Sequence, residues 1–218
     1  MASKKKVATK RQAWNKGLKA WNKGIEIGKR DGLTPAQVKR IRALLAARGV
    51  RGFRDLALFS VAIDTMLRAP ELLDLTVKDV QLPNGKIRSV IKVARPKGKP
   101  PVRCALSEKT ANALGKWISD SGVKRTDYIF PGLGRFRPIA GRQYQRLVKI
   151  WVARAGLDPK KYSSESLRRA KALHILNSTG DLETVRALLG HDKIESTARY
   201  LSIAKKSDPI AISSAFDI

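Results

Sequence analysis

Between Ser164 and Leu201 the chain places Arg168, then Leu188-Leu189-Gly190-His191, then Tyr200 nine residues beyond His191. A guanidinium, an imidazole and a phenol in that order suit one chemistry well: attack by a tyrosine oxygen on a phosphodiester. The pentacoordinate phosphorane formed in such an attack gathers extra negative charge on its non-bridging oxygens. Guanidinium groups can clamp those oxygens bidentately and stay charged at any physiological pH. Burial of a core requires no such order, so the stretch points to chemistry rather than packing.

The elements that must hold these residues read mostly as helices. Thr34-Pro35-Ala36-Gln37 is a helix start, in which Thr34 caps, Pro35 suits the first helical position and Gln37 completes a capping box. Val38, Ile41, Leu44 and Leu45 recur at helical spacing, and Gly49 supplies a stop. A second helix is expected over about 53–67, burying Leu56, Leu58, Phe59 and Ile63, and Pro70-Glu71-Leu72-Leu73 opens a short third. Residues 86–106 change character. Ile87, Val90, Ile91 and Val93, then Val102, Cys104 and Leu106, flank a basic stretch, Arg95-Pro96-Lys97-Gly98-Lys99-Pro100-Pro101, which predicts a β-hairpin with a basic tip. Ser107 caps a helix ending near Gly122, Tyr128–Gly132 forms a loop, and helices follow at about 140–155, 164–178, 182–189 and 193–203. The fold class is α+β, mainly α, with one small antiparallel sheet. His174 shares an apolar face with Ala170, Leu173 and Leu176 and is assigned to packing, and Cys104 to the interior of its strand.

Five segments carry a resemblance: Asp64-Thr65-Met66-Leu67-Arg68-Ala69-Pro70-Glu71-Leu72-Leu73, Pro96-Lys97-Gly98-Lys99, Ser166-Leu167-Arg168, Leu188-Leu189-Gly190-His191 and the spaced Tyr200. In that order, over residues 33–205, they resemble the catalytic domain of the tyrosine recombinase (phage integrase) family. The short length before the first helix is similar to the single-domain members, such as the fimbrial phase-variation recombinases. The resemblance implies a site-specific DNA recombinase that cuts and rejoins DNA through a 3′-phosphotyrosyl intermediate, for integration, excision or inversion. That linkage conserves bond energy, so no cofactor and no metal is expected. Tyr200 would be the nucleophile, Arg68 and Arg168 the clamp, and His191 a hydrogen-bonding partner of the phosphate. Lys97, with Lys99 as its local alternative, would protonate the leaving 5′-oxygen. Glu71 would orient an active-site arginine from behind. The implied partners are double-stranded DNA, three further copies in a homotetramer on DNA, and accessory DNA-bending proteins, in a cytoplasmic, nucleoid-associated setting.

Each of these residues has a plain structural reading when taken singly. Arg68 would be a solvated helix end, Lys97 a turn lysine, His191 a favourable charge at a helix terminus, and Tyr200 a core residue. Their joint occurrence favours a site. The chain also departs from the family's pattern. Glu165 stands three residues before Arg168, where histidine is usual. A carboxylate there could accept the Tyr200 proton or turn toward Arg169 or Lys161. It would also repel a phosphate at ~5 Å by about 3 kcal/mol at an effective dielectric of ~20, two orders of magnitude in rate. Met66, where glycine is usual, and Ala69-Pro70 are milder departures that affect backbone geometry. Two other functions therefore stand beside recombination: a DNA-binding relic of the family, and type IB topoisomerase-like nicking and closing.

Composition narrows the partners. The 218 residues carry 45 Lys and Arg against 18 Asp and Glu, a formal charge of +27, which favours polyanions through counterion release and steering. No apolar run approaches the ~20 residues of a membrane span, no membrane partner is expected, and the lone Cys104 excludes an intrachain disulfide. Residues 1–30 hold ten Lys or Arg and one acid, with Ala-Trp-Asn-Lys-Gly repeated at 13–17 and 20–24. Residues 1–32 are thus expected to be a basic arm, disordered alone, that contacts DNA with Trp14 and Trp21 among its lysines. Residues 33–205 would form the catalytic domain. Residues 206–218, with Ile210, Ile212 and Phe216, would form a tail that docks on a neighbouring protomer. Arg142, Arg146 and Lys149 are expected to contact DNA from the 140–155 helix.

Overall fold

Thr34 opens the first helix as its capping box requires. Its hydroxyl accepts from the Gln37 backbone N–H and its own N–H donates to the Gln37 side chain, starting α1 (Pro35–Ala46). The computed structural model describes residues 31–95, 101–133 and 136–201. The next elements are α2 (Val50–Thr65), α3 (Ala69–Leu73), α4 (Val77–Val80), β1 (Val90–Val93), β2 (Val102–Ala105) and α5 (Glu108–Ser121). They are followed by α6 (Gly141–Arg154), a 3₁₀ turn (Pro159–Lys161), α7 (Ser164–Thr179), α8 (Leu182–Leu189) and α9 (Ile194–Leu201).

The central element is α2, which packs against α1, α5, α7 and β2. It is buried almost continuously from Ala57 to Thr65, beyond a single apolar stripe, so it has neighbours on nearly every side. Around it Phe59, Tyr144 and Trp151 meet edge to face, and the Trp151 indole N–H donates to the buried carboxylate of Asp55. The hairpin pairs antiparallel with Ile91 opposite Cys104 and Val93 opposite Val102, all four facing the core, while Lys92 and Arg103 sit opposite each other on the exposed face. Burial raises the Cys104 thiol to about 11, so it is protonated and inert, and it lies against the Thr65 carbonyl. A second cluster lies apart from the main core. Met66, Ala172, Val185, Leu189 and Leu201 form it, and it binds α7, α8 and α9 into one unit.

Several elements differ from the sequence reading. The second helix starts at Val50, earlier than expected, because Gly49 adopts a positive φ and serves as its N-cap. It ends at Thr65 because Met66 turns into the left-handed region. Helix α4 and the 3₁₀ turn were not foreseen. Leu44 is exposed, and so is His174, which stands at the rim of a groove with Lys39, Arg42 and Lys109 rather than in the core. The assignment of His174 to packing is therefore corrected: no residue of α7 after Ala172 is buried. Among the described residues no helix is long and apolar enough to cross a membrane.

Candidate active site

The site is assembled at the carboxyl end of α8. Gly190 closes that helix in the left-handed conformation, leaving the Leu189 and Gly190 carbonyls at its negative end. Two guanidiniums converge there. Arg168, in the second turn of α7 and only 3% exposed, donates through Nη2 to the Leu189 carbonyl at 2.8 Å. Arg95, just beyond β1, donates to Gly190 O at 2.9 Å and Leu189 O at 3.1 Å. The left-handed conformation favours glycine at position 190, and a Cβ there would displace the Arg95 guanidinium from these carbonyls.

Arg68 reaches the cleft from the turn between α2 and α3. The left-handed turn at Met66 breaks the path of α2, and Asp64 fixes the break. Asp64 accepts from Arg42 and from the Ser107 N–H and hydroxyl, while its carbonyl accepts from the Lys171 ammonium at 2.6 Å. Arg68 then caps α3 in an extended conformation. Glu71 accepts its backbone N–H at 2.8 Å, meets its Nη1 at 3.4 Å, and lies 3.9 Å from Arg95 Nε. One carboxylate thus braces two arginines.

His191 and Tyr200 complete the group. His191 Nδ1 is 3.0 Å from the buried hydroxyl of Thr197, and its ring meets Tyr200 edge to face at 5.5 Å between centroids. The Arg168 and Arg169 guanidiniums lie 5.7 and 5.9 Å from the Tyr200 ring centre. The Tyr200 hydroxyl donates to Glu165, 3.1 Å from Oε2 and 3.3 Å from the backbone carbonyl. Glu165 therefore faces the phenol rather than turning toward a surface cation.

Electrostatics follow from this crowding. Burial, reinforced by Arg168, Arg68 and Arg95, lowers His191 to about 4, so the imidazole is neutral at physiological pH. Burial pushes the Tyr200 phenol up, the charge of Glu165 adds to that, and Arg168 opposes it. Burial lowers Arg168; the neighbouring phenol counters this and Arg68 reinforces it. Arg168 Nε is buried with no acceptor among the described residues. Arg68, Glu71, Lys92, Arg95, His191 and Tyr200 line one open cleft of about 1170 Å³, with Lys193 and Arg199 also on its wall.

The structure thus brings Arg68, Arg168, His191, Tyr200, Glu165 and Glu71 together. Arg142, Arg146 and Lys149 are exposed at helical spacing on α6 and do not line the cleft. Lys97, Lys99, Trp14, Trp21 and the 206–218 tail lie outside the described residues. Among the described residues no group of three or more His, Cys, Asp or Glu side chains is placed to hold a metal.

Sequence reasoning missed Arg95, Thr197 and Lys171. Arg95 was legible in principle. It follows Ile91 and Val93 at every second position, which places it on the inward face of the strand. Thr197 gave no such signal, because only the fold brings it to His191.

The sequence pattern described as "Phage integrase family" matches residues 31–207. This chain belongs to the phage integrase family. A relative, tyrosine recombinase XerD of Shewanella oneidensis, is 29% identical over 175 residues, which cover 80% of this chain and 58% of the relative. The integrase-family chain described here thus spans little more than half that protein's length. Among solved structures, XerA recombinase superposes with a TM-score of 0.66 at 25% identity, over 86% of this chain and 65% of that one. XerH site-specific recombinase bound to difH substrate superposes with a TM-score of 0.67 at 20% identity, over 88% and 55% of the two chains. The XerH likeness concerns the fold.

Proposed function

We propose that this integrase-family protein is a site-specific DNA recombinase that cuts and rejoins double-stranded DNA through a phosphotyrosyl link to Tyr200. The observation that carries the reading is one cleft lined by the Tyr200 phenol, the neutral His191 and Arg68, with the buried Arg168 guanidinium 5.7 Å from the Tyr200 ring centre. A phosphate oxygen would satisfy the unpartnered Nε of Arg168, which otherwise bears the desolvation penalty of a buried donor. Arg68, half exposed and braced by Glu71, would take a second oxygen. Donation from the Thr197 hydroxyl to Nδ1 would leave the proton of the neutral His191 on Nε2, free to be donated to the phosphate.

The surroundings suit a polyanion. Lys92 and Arg103 oppose each other directly across the hairpin, an unfavourable like-charge pair unless phosphates lie against it. The resemblance to the family supports Lys97 as the proton donor to the leaving 5′-oxygen, with Lys99 beside it. It also supports four protomers on two DNA sites, with the 206–218 tail docking between them.

A nicked suicide duplex cut from DNA flanking the gene tests the reading. Wild-type protein is expected to form a denaturation-resistant protein–DNA adduct, and Tyr200→Phe none. Binding without any adduct in the wild type would identify a DNA-binding relic. Relaxation of supercoils with no exchange of ends would identify a nicking and closing enzyme.

A further inference from the structure

The phenol of Tyr200 is protonated and sits among cations, yet both acceptors its hydroxyl meets among the described residues, a carboxylate and a backbone carbonyl, belong to Glu165. Glu165 Oε2 lies 3.1 Å away, on the first turn of α7, and the Glu165 carbonyl is 3.3 Å away. Glu165 is exposed on its other side, so the carboxylate is solvated while it holds the phenol. Arg168 follows one helical turn further in the same helix, so the acceptor and the buried clamp arginine share one rigid element.

We propose that Glu165 is the proton acceptor for Tyr200, so that this site uses a carboxylate base for strand cleavage; the inference rests on the proposed function above. In the step, the Tyr200 Oη–H bond breaks and the proton passes to Glu165 Oε2. The phenolate electron pair forms the Oη–P bond, the P–O5′ bond breaks, and the leaving oxygen takes a proton from Lys97. Resealing reverses each transfer, so no proton is consumed over the cycle.

The charge changes favour this arrangement. A carboxylate starts negative and becomes neutral on taking the proton, just as the phosphorane gains its second negative charge. Its repulsion of the phosphate therefore acts on the bound ground state and fades in the transition state, the differential that accelerates a step. An imidazole in the same place would start neutral and end positive. Glu165 leaves the site one unit more negative throughout, and Arg68 and Arg95 on the cleft, with Arg168 beside the Tyr200 ring, supply the positive charge to offset it.

This predicts a split between binding and rate that a structural residue would not show. In single-turnover assays on a nicked suicide duplex, Glu165→Gln is expected to slow adduct formation at saturating DNA by about 10²-fold. Affinity for the same duplex should be unchanged or tighter, because a negative charge beside the phosphate has been removed. Replacing Tyr200 by 3-nitrotyrosine, whose phenol ionises far more readily, should restore most of the lost rate in Glu165→Gln while changing the wild type little. A Glu165→Gln rate within threefold of wild type overturns the proposal. So does a joint loss of rate and affinity, in a folded protein by circular dichroism, that nitrotyrosine does not rescue. An absent adduct in the wild type overturns the recombinase reading itself, a result distinct from either of these.

Discussion

His191 is partly buried, with three arginines in its neighbourhood, and burial first and their charge second decide its protonation. Folded, it titrates near 4, against about 6.5 in an unfolded chain. Above pH ~6.5 it is neutral in both states and contributes nothing to the pH dependence of folding. Between ~6.5 and about 4 the unfolded chain binds a proton that the folded chain does not, so stability falls as pH drops, and the loss is complete below about 4. His191→Asn removes this part of the slope. Urea unfolding at pH 7 and pH 5 should show the wild type losing more stability than the variant over that interval; equal losses would mean that the imidazole is not held neutral. For catalysis the consequence is that His191 is a donor of fixed form across the neutral range. Its identity was readable from Leu188-Leu189-Gly190-His191, but its protonation state was not, because that depends on burial and then on Arg168, Arg68 and Arg95, which only the fold brings into its neighbourhood.

Among elements, the junction between α2 and α3 bears most directly on the site, because it aims Arg68. Met66 is the one non-glycine residue with positive φ among those described, at φ 52° and ψ 27°, a conformation that disfavours any side chain by about 1–2 kcal/mol. Glycine is usual here in the family, and the left-handed turn is the physical reason. The methionine is retained because its side chain, 4% exposed, fills the second core against Ala172, Val185 and Leu189. Met66→Ala keeps the strain and loses the packing, and should destabilise by about 2–5 kcal/mol. Met66→Gly loses the same packing but relieves the strain, so it should be about 1 kcal/mol more stable than Met66→Ala, the reverse of the order in a helix interior. Urea midpoints of the two variants check this, and alanine ranking above glycine would contradict it. The same junction shows how far sequence patterns reach. The capping box at Thr34 and the stop at Gly122 are local chemistry, and the fold keeps them. The end of α2 was placed two residues late because apolar periodicity runs on through Met66 and Leu67, while Asp64, bound to Arg42 and Ser107, holds the chain in its turn. His174 misled for the opposite reason. Its apolar neighbours continue the pattern of α7 past the point where the core stops covering it.

At the scale of the molecule, two cores divide the labour. The main core around α2 positions Arg68 and the hairpin, while the second holds α7, α8 and α9, and with them Arg168, His191 and Tyr200. The cleft runs between the two groups, so a phosphate gripped by Arg68 and Arg168 would bridge them. Positive charge is not confined to that cleft: Arg103, Arg142, Arg146 and Lys149 are exposed outside its lining, and residues 1–30 contribute a formal +9 of the total +27. Phosphate contacts made by the first thirty residues would add to affinity without adding to cleavage chemistry, since the residues of the site lie within 68–200. Deleting residues 1–30 is therefore expected to weaken DNA binding and to flatten the plot of log affinity against log salt by about 0.9 for each phosphate contact removed. The rate of adduct formation at saturating DNA should stay near that of the full chain. Binding isotherms at several salt concentrations, with single-turnover cleavage measured alongside, separate the two quantities. An unchanged salt slope would remove the arm from DNA binding, and a cleavage rate that collapses at saturation would give it a part in assembling the site.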